Sequence, residues 1–181
     1  RFFQPHVGSV SVYFAQQNCG KRNISLDLSR PEAAEVLLAM APKVDVVLEN
    51  FRPGVMDRMG LGWEQWRARN DAIVYAAISG YGQEGPWRDR RAYARVIHAE
   101  SGIMATDARS KAKVPEPDTF SHADTYTALE CLAAINAALF QRTRTGTGQR
   151  IDVAMTETML AINEHAAIDI SGLPLHRPGG R

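Results

Sequence analysis

Few residues of this 181-residue chain combine the type and spacing that chemistry needs, and one carboxylate leads them. In Ser121-His122-Ala123-Asp124-Thr125, which opens the longest helical stretch, Ser121 as helix cap puts Asp124 at the third helical position. The helix dipole and the free N–H groups of a first turn favour an ionised carboxylate there. An ionised carboxylate held in that way can act as a nucleophile. The same Ser-x-x-Asp spacing is also an ordinary capping box, so the residues alone leave both readings open. His98 stands alone on a shorter helical stretch. A lone histidine on a helix is more often a structural hydrogen-bond partner than a catalyst. Cys19 and Cys131 have neither metal-like spacing nor a CxxC arrangement, which reads as two reduced, mostly buried thiols. That usage points to an intracellular compartment, the cytosol or an organelle matrix.

These groups must be positioned by regular elements, and the pattern of those elements is readable. Ile24 to Leu28 alternates apolar and polar residues as a short strand does. Ser29, Pro31 and Glu32 form a capping-box start for a helix carrying Ala33, Val36, Leu37 and Met40, with Pro42 beyond its end. Val44 to Leu48 predicts a strand covered on both faces. Helices are expected over about Val55–Met59, stopped by Gly60, and Trp63–Arg69. Ile73 to Ile78 then reads as a second buried strand. After the loop Gly80 to Pro86 comes a helix over Ala92–Ser101, and residues 107 to 120, polar with two prolines, read as irregular. A long alanine-rich helix should run from about His122 to Arg142, followed by Gly146 and Gly148, a strand over Gln149–Val153 and a helix from Met155 to about Ile168. The final Pro178-Gly179-Gly180-Arg181 reads as loop.

Strands alternating with helices predict an α/β, Rossmann-like parallel sheet flanked by helices, with right-handed crossovers and the long helix in the second half. No GxGxxG follows any of these strands, which leaves a dinucleotide site without support. A hydrophobic fraction of 45% and a charged fraction of 23% suit a globular domain without disordered tracts. The net charge of +1 supplies no field to attract nucleic acid. No stretch is apolar for the length that a membrane span requires. The chain starts Arg1-Phe2-Phe3 without methionine or signal-peptide pattern, and both ends read as cut from something longer.

Four segments carry a resemblance. They are Asn18 to Leu28 (NCGKRNISLDL), Glu49 to Leu61 with its Asn50-Phe51-Arg52-Pro53-Gly54 and Arg58-Met59-Gly60-Leu61, Ile78 to Trp87 (ISGYGQEGPW), and Arg142 to Asp152 (RTRTGTGQRID). In this order and spacing they resemble the family III CoA-transferases, the carnitine- and bile-acid-type (CaiB/BaiF) enzymes that include formyl-CoA transferase. The resemblance covers roughly residues 9 to 165. It implies that residues 1–181 are part of the family's large domain, without the N-terminal segment and the C-terminal portion that contains a glycine-rich loop.

By the same resemblance the protein is an enzyme that transfers CoA from an acyl-CoA to a small carboxylic acid. It has no permanently bound cofactor, and coenzyme A enters as part of the substrate. Asp124 matches the nucleophile that forms an aspartyl anhydride and then an aspartyl-CoA thioester. Leu26, Asn50, Phe51, Arg58, Met59 and Arg91 match CoA-binding positions; Tyr13, Tyr93 and His98 match positions near the substrate. Each has a plainer reading: solvated charge for Arg58 and Arg91, core for Leu26 and Met59, packing for the two tyrosines. Ala94 departs from relatives that carry Asp or Glu after the second tyrosine, and His98 stands where others have Gln. The family's racemase branch pairs the aspartate with a histidine that here is Tyr93, a poor base at an ordinary pKa of about 10. An idle scaffold is the remaining alternative. Family members form interlocked homodimers, and the resemblance extends that expectation to the full protein, with no nucleic acid or membrane as partner and a cytoplasmic or organellar location.

Overall fold

The computed structural model describes residues 2–117 and 120–165. Its centre is a parallel sheet of three strands, β3 (Val46–Glu49), β4 (Val74–Ser79) and β5 (Arg150–Ala154), in the order β3-β4-β5. Glu49 pairs with Ala77, and Ala77 with Asp152, so these three residues form one row across the sheet. A two-stranded antiparallel ribbon, β1 (His6–Val7) with β2 (Val10–Ser11), precedes helix α1 (Val12–Asn18).

Helices α2 (Pro31–Ala39), α3 (Val55–Arg58) and α4 (Trp63–Arg69) lie in and before the β3–β4 connection. The connection from β4 to β5 carries α5 (Ala94–Glu100), α6 (Ile103–Ser110) and α7 (His122–Thr145), and α8 (Met155–Ile162) follows β5 directly. Alternate residues of the strands serve different layers. Val47, Tyr75 and Ala77 pack with Leu38, Met56, Leu61 and Trp66 in one core. On the other face Ala76 and Val153 pack with Cys131 of α7, flanked by Ile135 and Ile151. A third cluster joins Ala94, Ile97, Ala123, Met155 and Met159 beyond the end of β4. The expected parallel α/β sheet with a long second-half helix is therefore present.

Several local expectations are corrected. Residues 24–28 form no strand; the Asp27 carboxylate accepts both the Ser29 N–H (3.1 Å) and the Ser29 hydroxyl (2.6 Å), which makes a local turn. Ser29 is thereby diverted from the cap of α2, whose cap residue is Arg30 with no side-chain bond. That helix buries Ala33, Ala34 and Leu38, whereas Val36 and Met40 are exposed. Strand β3 is not covered on both faces: α7 packs on β4 and β5, and Leu48 remains 57% exposed. The stretch read as irregular from residue 107 is helical up to Ser110, as the last turns of α6. Cys131 is buried but Cys19 is exposed, so only one thiol follows the expectation. The predicted extension of α8 to Ile168 and the C-terminal loop at Pro178–Arg181 lie outside the described residues. Among the described residues no helix is long and apolar enough to cross a membrane.

Candidate active site

In a parallel sheet, ligands meet the loops at the carboxyl ends of the strands. Two such loops, after β3 and after β4, are each fixed by a carboxylate from the Glu49–Ala77–Asp152 row. Glu49 Oε2 accepts the Phe51 N–H at 2.7 Å, and Asp152 Oδ2 accepts the Gln83 N–H at 2.8 Å. Glu49 is only 9% exposed, and burial pushes its carboxyl above the usual carboxylate range. The Phe51 N–H opposes that shift, Asp57 and Asp152 add to it, and Arg150 opposes it. Tyr75, behind Glu49, is driven well above the ordinary tyrosine range by burial first and then by the Glu49 and Asp57 charges.

Beyond these loops lies a cavity of about 480 Å³ that Asp124 lines together with Asn50, Phe51, Arg91 and Tyr93. Asp124 is an exposed residue at the third position of α7. Arg52, Arg88 and Arg90 also line the cavity, so its charged lining residues are four arginines and one aspartate. Its floor includes Ser79 at the end of β4, Thr127 of α7 and Met155 at the start of α8. Gly80 allows the far wall to come close: a Cβ there would lie 2.1 Å from the Ala92 Cβ. The Gly80 carbonyl in turn accepts the Thr156 N–H (3.1 Å) and hydroxyl (2.8 Å), tying α8 to the same corner.

The start of α7 is not a capping box, because the Ser121 side chain makes no capping bond. Instead the N–H of Ala123 donates to Nε2 of His98 at 2.9 Å. A histidine of α5, 1% exposed, thus satisfies an orphan N–H of the helix that carries Asp124. Accepting that bond requires a bare Nε2, which places the ring proton of the neutral form on Nδ1.

The structure divides the predicted residues into groups. Asp124, Asn50, Phe51, Arg91 and Tyr93 share the cavity. Arg58 and Met59 line an adjoining groove with Arg30, and Leu26 lines a further hollow that Arg30 also borders. His98 lines a different hollow, with His122, Tyr126 and Met159. Tyr13 is not among the cavity's lining residues; its half-exposed ring packs at a tilt against Phe3 with centroids 5.2 Å apart. Sequence reasoning passed over Glu49, Arg52, Ser79 and Arg88. Arg52 lay inside a quoted motif, but nothing local marks Glu49 as a buried carboxylate or Arg88 as a cavity residue. Among the described residues no cluster of three or more His, Cys, Asp or Glu side chains could hold a metal ion.

A sequence model described as CoA-transferase family III matches residues 1–178. An acetyl-CoA:oxalate CoA-transferase of Acetobacter aceti is 39% identical over 166 residues, which cover 92% of this chain and 43% of that protein. A formyl-CoA:oxalate CoA-transferase of Streptomyces avermitilis is 41% identical over 150 residues, covering 83% of this chain and 36% of that protein. A CaiB/BaiF family protein from Brucella suis has a similar crystal structure. Its TM-score is 0.76 at 34% identity, over 85% of this chain and 40% of that one. The chain therefore spans less than half the length of these relatives.

Proposed function

The chain belongs to CoA-transferase family III, and from that premise we propose that the protein transfers coenzyme A from an acyl-CoA donor to a small carboxylic acid, with Asp124 as nucleophile. The observation that carries this reading is the shared cavity: Asp124 stands with Asn50, Phe51, Arg91 and Tyr93 at the carboxyl ends of the parallel strands. In the proposed sequence an Asp124 oxygen attacks the thioester carbonyl. The C–S bond breaks, leaving a mixed anhydride and CoA thiolate. The thiolate then attacks the aspartyl carbonyl and releases the donor's acid, which gives an aspartyl-CoA thioester. The acceptor carboxylate repeats the exchange, and the final thiolate attack frees the carboxylate of Asp124. One thioester replaces another of similar energy, so the scheme needs neither ATP nor a metal. The arginines around the cavity suit an anionic donor and an anionic acceptor.

The placement of His98 supports this reading over racemisation. Its Nε2 is occupied by Ala123 N–H and it borders a different hollow, so it is poorly set to share proton transfers with Asp124. We read residues 1–181 as part of a large domain, with acyl-CoA and carboxylic acid as partners and a homodimer as the full assembly. Leu48 on β3 and Leu129, Leu132 and Phe140 on α7, all more than half exposed, support further polypeptide over these faces.

The test is chemical trapping. The intact protein is incubated with a panel of acyl-CoAs, quenched, and mapped for a hydroxylamine-labile adduct. The adduct is expected on Asp124 and absent in Asp124→Ala. An adduct on another residue, or none with any acyl-CoA that binds, would overturn the mechanism. Solvent deuterium entering the α-carbon of a 2-methylacyl-CoA without an adduct would establish racemisation instead.

A further inference from the structure

The loop between β4 and α5 forms one wall of the Asp124 cavity, through Arg88, Arg90 and Arg91 and, at its end, Ala92 and Tyr93. Its neck is closed by Gly80 against Ala92, and its base by the Gln83 N–H on Asp152. Beyond Gln83 the loop's backbone hydrogen bonds, among the described residues, stay inside the loop. Arg88 N–H donates to the Gly85 carbonyl at 3.4 Å, and Arg90 N–H to the Trp87 carbonyl at 2.9 Å. Side chains must therefore hold this outer part against the rest of the fold.

Four side chains meet there. The Tyr81 hydroxyl donates to Glu100 Oε2 at the C-terminal end of α5, and Glu100 Oε1 pairs with Arg90 Nη1 at 3.4 Å. The Arg90 guanidinium lies 4.8 Å from the ring centroid of Trp87 and 5.8 Å from that of Tyr81. Those two rings meet edge to face at 5.9 Å. A half-exposed ion pair alone contributes little. Here the same guanidinium also faces two aromatic rings, and the Tyr81 ring packs against the cluster of Ala94, Ile97 and Met155. Burial first, and then the bond and charge of Glu100, push the Tyr81 hydroxyl up to about 12, so it stays a donor at neutral pH. Of the four arginines that line the cavity, Arg90 alone pairs, among the described residues, with an acid outside its own loop.

We propose that Tyr81, Trp87, Arg90 and Glu100 form a latch that fixes the loop wall of the Asp124 cavity. Glu100 is then a positioning residue for bound acyl-CoA, and Arg90 belongs to the latch instead of contacting the ligand. The identity of the ligand rests on the CoA-transferase reading; the latch does not. Helix α5 in this way sets two sides of the cavity. Glu100 holds the loop that presents Arg91 and Tyr93, and His98, two residues earlier, holds the turn that presents Asp124.

Hydrogen exchange on the intact protein reads the latch, and calorimetry with CoA reads its effect on the site. Glu100→Ala and Tyr81→Phe should each speed exchange at the Arg88 and Arg90 amides, while the Gln83 amide, held by Asp152, keeps its protection. Both should weaken CoA by about three- to tenfold, with Asp124 adduct formation at saturating acyl-CoA kept within about twofold. Glu100→Gln keeps an acceptor for Tyr81 and should fall between the parent and Glu100→Ala. Tyr81→Phe combined with Glu100→Ala should be less than additive on CoA. Unchanged exchange in the loop would refute the latch. So would faster exchange at all three amides, which would make Glu100 a general stabiliser. A loosened loop with parental CoA affinity would refute the positioning role. CoA weakened by Arg90→Ala but not by Glu100→Ala would overturn the placement of Arg90 and make it a ligand contact. If the loop loosens as expected in a protein that binds CoA but never labels Asp124, the latch stands and the CoA-transferase reading falls.

Discussion

The bond from Ala123 N–H to His98 Nε2 makes the folding of the Asp124 helix depend on a side chain 25 residues away. Replacing His98 by Phe tests this without opening a cavity, because the somewhat larger phenyl ring fills the place of the imidazole and leaves His122, now 6.1 Å from the His98 ring centroid, an aromatic neighbour. What is lost is the acceptor. Ala123 is 0% exposed, so water cannot take over its N–H. An unsatisfied buried donor costs about 1–3 kcal/mol, the same order as losing a helix cap. A loss of about 2 kcal/mol in a unit of this size lowers Tm by about 4–8 °C. His98→Gln supplies a side-chain carbonyl able to accept the same bond and should recover most of the stability. Thermal melts and urea midpoints of the three proteins provide the assay, with adduct formation on Asp124 as the functional readout. The Phe variant should lose adduct through displacement of the first turn of α7, and the Gln variant should retain it. A Phe variant as stable as the parent would refute the capping argument. A Gln variant with full stability and no adduct would show that His98 participates in the chemistry.

Other consequences can be checked with modest effort. Because burial raises the Glu49 carboxyl above its ordinary 4.5, the folded state holds that proton more tightly than the unfolded chain. The associated stability is full below the unfolded value and is lost as pH rises through the folded one. Glu49→Gln keeps an acceptor for Phe51 N–H but does not titrate, so its Tm should gain on the parent as pH increases; a gain that shrinks with pH would refute the assignment. Glu49→Ala instead frees the Phe51 N–H, and calorimetry should show weaker CoA binding together with lower stability. Gly80→Ala forces a Cβ to 2.1 Å from that of Ala92; overpacking of this kind costs about 1–3 kcal/mol, and chemical denaturation should show it along with a raised KM for acyl-CoA.

What could be read from residue order was the part of the fold whose causes are local. Val74–Ser79 (VYAAIS) is an almost wholly apolar run long enough for a central strand, and the alanine-rich stretch of α7 is long enough to be read as a helix from sequence. The residues 24–28 misled because alternation describes a strand only where an edge is available. Here the segment takes up a local turn, because Asp27 offers Ser29 a nearer partner than any strand. The end of α6 was hidden for the opposite reason: it buries only Ala108, so its apolar spacing is weak.

The site shows the same division more sharply. Asn50 and Phe51 were legible because a motif and a strand end coincide, whereas the atoms that hold them come from the buried Glu49 carboxylate, which reads locally as one more polar strand residue. Asp124 was legible as a carboxylate in a first helical turn, yet the cap that supports the turn is His98 and not Ser121. In both cases the group presented to ligand lies in a recognisable stretch, and the group that positions it is a buried titratable side chain: His98 meets its partner across 25 residues, whereas Glu49 meets the Phe51 N–H two residues on and owes only its burial to the fold. The distinction has a chemical consequence. Deleting a presenting group should abolish a contact or a step, whereas changing Glu49 or His98 should be rescued by any neutral side chain that keeps an acceptor in place. Gln meets that requirement at both positions, and failure of either rescue would move the residue from positioning to chemistry.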